Sequence, residues 1–80
     1  MTQDINHLSG AIVNAAYLIH KETGPGLLES VYETLLFHEL MDLGFEVARQ
    51  RPIPIECRGR IFDEGFRADL LVEEKILVEL

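Results

Sequence analysis

The chain has 80 residues, 48% of them hydrophobic, a single cysteine and a formal net charge of −7. That length allows one domain at most, the hydrophobic share excludes a disordered chain, and the lone Cys57 excludes an internal disulfide and fits a reducing, cytoplasmic setting. No apolar run approaches the roughly 18 residues of a membrane span, and no positive segment followed by an apolar core marks a signal peptide.

The first predicted element is a helix over about residues 4–22. Ile5, Leu8, Ile12, Ala15, Ala16 and Ile19 recur at spacings of three and four and make one apolar stripe. Asp4 or Thr2 is placed to cap it, and Gly24-Pro25-Gly26 ends it. His20 lies near its C-terminus, where a cation favours the macrodipole.

A second helix is predicted over about 26–43, stopped by Gly44. Glu29 lines up with Tyr32, Leu36, Leu40 and Leu43 on its wheel, so a carboxylate heads an apolar stripe. Two explanations fit that acid. It is either turned toward a site on the packed side, or it is the N3 half of a capping box begun at Gly26.

From Phe45 the period changes to two. Pro52 and Pro54 remove donors from one side of the next strand, which makes residues 52–56 an edge. Arg58-Gly59 is a predicted hairpin turn into Arg60-Ile61-Phe62, and Asp63-Glu64-Gly65 leads on to the last stretch. Five of the seven basic residues, Arg49, Arg51, Arg58, Arg60 and Arg67, fall between positions 49 and 67. That window is net +2 in a chain whose total charge otherwise repels nucleic acid.

Residues 66–80 hold two apolar runs separated by Glu73-Glu74-Lys75, the pattern of two paired central strands. Register decides what the acids do. A two-residue turn would put Leu70 opposite Glu79, whereas a three-residue loop puts Asp69 opposite Glu79. Facing carboxylates destabilise a bare hairpin, but a divalent cation between them makes the pair a binding site. That chemistry favours the three-residue loop. The bland alternative is an acid solvated at a strand end. The fold class is α+β, two N-terminal helices packed on an antiparallel β-meander.

Gly26-Leu27-Leu28-Glu29-Ser30-Val31-Tyr32 matches a G-x-x-E-x-x-Y signature. His20, Glu39-Leu40, Gln50, Ile53-Pro54-Ile55, Arg67-Ala68-Asp69 and Val78-Glu79-Leu80 extend the match in order. The chain thus resembles the GxxExxY protein family, which is similar to the PD-(D/E)XK nucleases. The resemblance implies the first part of a restriction-endonuclease-like core over residues 1–80. It implies Glu29, Asp69 and Glu79 as catalytic acids and as ligands of Mg²⁺ or Mn²⁺. It implies contacts to substrate or to those ligands for His20, Tyr32, Gln50 and Arg67, and nucleic acid held by the arginines from 49 to 67. The lysine that the family sets after Glu79-Leu80 lies past the last residue given, as do a further helix and strand. The expectation is therefore an incomplete domain, inactive by itself, which self-associates or needs a following segment. The competing expectation is a non-enzymatic interaction or self-associating module that keeps the nuclease fold.

Overall fold

The computed structural model describes residues 4–80, apart from the side chain of Glu64. Two helices, α1 (Ile5–Thr23) and α2 (Glu29–Asp42), precede three strands, β1 (Val47–Cys57), β2 (Arg60–Val72) and β3 (Ile76–Val78). The strands make one antiparallel sheet in the order β1-β2-β3. This is the α+β meander that the hydrophobic periods predict.

The α1 stripe is buried as expected at Leu8, Ile12, Ala15 and Ile19, while Ile5 stands half exposed at its start. The helix stops because Gly24 takes φ 72° and donates its N–H to the His20 carbonyl at 2.8 Å. A side chain is disfavoured at that φ, so glycine is the residue that closes the turn. Asp4 occupies the N-cap position without a side-chain cap bond, and Thr2 lies outside the described residues.

The start of α2 differs from the sequence expectation. Gly26, at φ 97°, still belongs to the connection, and the extended Leu28 is the N-cap. Glu29 is therefore the first helical residue and not N3, so it makes no capping box, although its charge still suits the helix N-terminus. Leu36 and Leu40 are buried, but Leu43 is the C-cap and is exposed. The Tyr32 hydroxyl donates to the Ala16 carbonyl at 2.7 Å and ties α2 to α1.

The core lies between the helices and the inner end of the sheet. Leu70 and Val72 of β2 pack against the buried residues of both helices, with Val47, Ile76 and Val78 at the margin. Strand β1 is an edge, as its prolines require. Strand β2 is central, as expected of the first hairpin strand. Among the described residues β3 pairs on one side alone.

Cys57 pairs with Arg60, and the two residues between them, Arg58 at φ 54° and Gly59 at φ 77°, both have positive φ. Two such residues define the hairpin turn whose twist matches the strands. Beyond it β2 does not break at Asp63-Glu64-Gly65 as the sequence suggests. The pairing steps from Ile55↔Phe62 to Ile53↔Phe66, and the strand continues through a bulge. Gly65 permits this, since a Cβ there would lie 2.6 Å from Cδ1 and Cγ1 of Ile55.

Arg58 adopts a left-handed backbone that asparagine tolerates better. Arg58→Asn is expected to raise stability by about 0.5–1 kcal/mol, and Gly59→Ala to lower it by a similar amount. Urea denaturation reads both, with an unchanged slope. Midpoints identical to the parent would show that this turn does not persist in solution.

Candidate functional site

The β2–β3 hairpin has the register of the three-residue loop. Leu70 pairs with Val78, Leu71 with Leu77 and Val72 with Ile76, leaving residues 73–75 as the loop. Strand β3 ends at Val78, and that register continued by one pair would set Asp69 across from Glu79. The loop closes with the Lys75 N–H donating to the Val72 carbonyl at 3.0 Å. Glu73 and Glu74 both sit at φ 55°, a costly conformation for residues other than glycine. Each is tied down. The Glu73 carboxylate accepts the Glu46 N–H, and its own N–H donates to the Glu46 carbonyl at 2.8 Å. The Glu74 carboxylate meets Arg51 at 3.0 Å.

Asp69 is half-buried, and both its oxygens are engaged. Oδ2 accepts the backbone N–H of Leu80 at 2.9 Å, and Oδ1 lies 3.5 Å from Nε2 of Gln50. By register Gln50 stands opposite Asp69, between the pairs Arg49↔Leu70 and Arg51↔Ala68. Its φ of 49° breaks the regular alternation of β1 at that point. Nε2 of Gln50 also donates to Oε1 of Glu33 at 2.7 Å.

Glu33 is the residue that the sequence does not single out. It is the one buried charged residue among those described, 7% exposed, on the α2 face that carries Leu36 and Leu40. Its Oε2 accepts Nε and Nη2 of Arg49 at 3.3 and 3.2 Å. Arg49 is fixed in turn by Oγ1 of Thr34 at 2.9 Å and by the Phe37 ring, 5.1 Å from the guanidinium carbon. A signal for Glu33 does exist in the sequence. It lies three and seven residues before Leu36 and Leu40, an acid in mid-helix on the packed stripe, and only a cation or donor from β1 makes that tolerable.

The other expected residues are placed as follows. Glu29 is exposed at the first position of α2, one helical turn before Glu33, and outside the Glu33–Gln50–Asp69 chain of bonds. Glu79 is exposed just past β3. His20 is exposed, its ring 6.4 Å from that of Tyr32, and the Tyr32 hydroxyl is occupied by Ala16. Arg49 and Arg51 are held in ion pairs with Glu33 and Glu74, whereas Arg58, Arg60 and Arg67 are exposed along the β1–β2 ribbon. Among the described residues no three His, Cys, Asp or Glu side chains gather closely enough to enclose a metal ion. Among them, too, no helix is long and apolar enough to cross a membrane.

The family model of the PD-(D/E)XK nuclease superfamily matches residues 6–80 of the chain. No curated protein matches, and no solved structure does.

The two ion pairs differ in burial, with side-chain exposures of 10% for Glu33 against 56% for Glu74. A double-mutant cycle between Glu33 and Arg49 is expected to give a coupling of about 1–2 kcal/mol, and one between Glu74 and Arg51 below about 0.5 kcal/mol. Equal couplings from thermal or denaturant unfolding would show that Glu33 is as well solvated as a surface acid.

Proposed function

The chain belongs to the PD-(D/E)XK nuclease superfamily, and from that premise we propose that it carries the metal-binding acids of a Mg²⁺- or Mn²⁺-dependent nuclease-like domain acting on phosphodiester bonds. The observation that supports this most is the pairing of Leu70 with Val78, Leu71 with Leu77 and Val72 with Ile76, a register that would bring Asp69 and Glu79 opposite each other if carried one pair further. The donor set fits a hard cation. Mg²⁺ is held by one or two carboxylates and completes its shell with water and substrate phosphate, so an enclosing cage of three protein acids is not required. Asp69 and Glu79 would hold the ion there, and a bound divalent ion supplies Lewis acidity toward a phosphate oxygen and an acidified water.

The chain's own residues do the rest. The Leu80 N–H and the Gln50 amide fix the Asp69 carboxylate, leaving a second lone pair on each oxygen for a ligand. Arg67 is two residues from Asp69 on β2, hence on the same strand face, and is exposed. It is placed to hold a phosphate beside the acid pair, with Arg58 and Arg60 further out on the ribbon. Arg49 and Arg51 are drawn away from this role by Glu33 and Glu74. The finer likeness to the GxxExxY group rests on the motif at Gly26–Tyr32, and Glu29 within it serves the α2 N-terminus.

A second function is favoured by a separate observation. Val13 and Tyr17 of α1 and Leu28 at the α2 N-cap are 68%, 60% and 71% exposed. Apolar residues so placed suit a protein-binding or self-associating module that keeps the fold.

Calorimetric titration with Mn²⁺ tests the first proposal. The parent chain is expected to bind the ion and Asp69→Ala to lose binding, and equal heats from the two would remove Asp69 as a ligand. Arg67→Ala is expected to weaken binding to a duplex oligonucleotide uniformly across sequences and to lower the salt slope by about 1. Sedimentation at several concentrations tests the module, since association undisturbed by Asp69→Ala is its expected signature.

A further inference from the structure

We propose that Glu33 is a positioning residue for the acid pair, acting through the Gln50 side-chain amide, and is not itself a ligand of the cation. The inference rests on the assignment of Asp69 as a cation ligand. It concerns what holds that carboxylate in place.

Both oxygens of Glu33 are already committed. Oε2 faces the Arg49 guanidinium at 3.2 and 3.3 Å, and Oε1 accepts from Gln50 at 2.7 Å. Arg49 balances its charge, and Glu33 itself is buried. A metal at Glu33 would sit against the like charge of the Arg49 guanidinium, which Thr34 and Phe37 hold in place. The geometry gives it another task. A carboxamide nitrogen carries two hydrogens in one plane with its carbonyl. The short bond to Glu33 fixes one of them and thereby the plane. The same nitrogen lies 3.5 Å from Oδ1 of Asp69, which puts that oxygen at the outer reach of the second hydrogen.

The backbone supports this assignment. Gln50 is held at φ 49° in the middle of a strand, where an ordinary strand residue would continue the alternation. The departure is what lets one side chain reach an acid on α2 and an acid on β2 together. A second constraint acts on the other oxygen. The Leu80 N–H takes Oδ2 of Asp69 at 2.9 Å. Asp69 is thus oriented by two donors, and Glu33 anchors one of them. Partners of this kind beneath a ligand set its direction and affinity.

Four proteins decide the matter: the full chain, Gln50→Ala, Glu33→Gln and the double variant. Each is titrated with Mn²⁺ by calorimetry after thermal melting has established that it is folded. Gln50 is exposed, so Gln50→Ala keeps the test available should Glu33→Gln fail to fold. Each single variant is expected to bind Mn²⁺ about 10-fold more weakly than the parent. The double variant is expected to be no weaker than either single one, because both act through one chain of bonds. Nitrogen–proton spectra supply a readout that lost stability alone would not move. The Gln50 side-chain amide pair is expected to shift on Mn²⁺-free Mg²⁺ addition in the parent and to lose that response in Glu33→Gln. Parent-like affinity in folded Gln50→Ala, or additive losses in the double variant, would overturn the positioning role while leaving Asp69 as the ligand. A parent chain that takes up no Mn²⁺ would overturn the Asp69 assignment and this inference with it.

Discussion

A carboxylate taken out of water must find cations or donors on both oxygens, and Glu33 imposes that demand on the whole fold. It is 7% exposed in the middle of α2. Its needs are met by Arg49 and Gln50, consecutive residues of β1. Adjacent strand residues normally point to opposite faces, so meeting one acid with both requires the backbone to turn between them. The positive φ of Gln50 is that turn. The direction of β1 over α2, the seat of Arg49 on Phe37 and the approach of Gln50 to Asp69 all follow from this one buried charge. Breaking such a pair by removing one partner costs more than the pair contributes, because the other charge stays behind.

The left-handed residues other than glycine are not scattered. Gln50, Glu73 and Glu74 flank the stretch that carries Asp69, and Arg58 marks the far turn. Each conformation of this kind costs about 1–3 kcal/mol and persists only where surrounding bonds over-determine it. The bonds are identifiable here: Glu33 for Gln50, the Glu46 backbone for Glu73, and Arg51 for Glu74. A chain of 80 residues has little stability to spare. Strain concentrated around one acid hairpin therefore argues for a role beyond folding.

Much of this is legible in the sequence. The stripe from Leu8 to Ile19, the Arg58-Gly59 turn and the edge position of the prolines follow from short-range rules, whereas the three-residue loop follows from the chemistry of facing carboxylates. Side-chain period and turn chemistry act within a few residues, so the sequence displays them directly. What stayed hidden depended on distant parts. Glu29 and Glu33 differ by only about 40° on the α2 wheel. Which of them meets Arg49 and Gln50 is decided by where β1 crosses, and no local pattern encodes that crossing. The same holds for Arg49 and Arg51, which read as part of a basic cluster until their partners on α2 and in the 73–75 loop are known. The continuity of β2 through residues 63–65 was masked because its acid-glycine run imitates a turn, whereas Gly65 serves the contact with Ile55.

The sheet extends well past the helices, and its two ends are built differently. Leu70 and Val72 are fully buried, while Ile55, Ile61 and Phe62 on the outer ribbon are 44%, 69% and 41% exposed. Between them lies the bulge at Pro54 and Gly65, where the ladder steps out of register. A ladder interrupted in this way, with little apolar cover beyond the interruption, divides into two cooperative units. The outer ribbon can unzip from Arg58 and Gly59 as far as the bulge while the inner pairs stay closed. Amide exchange would then run fast in the arm and slow around Leu70, so the arginine-bearing arm can yield to a bound surface without releasing Asp69.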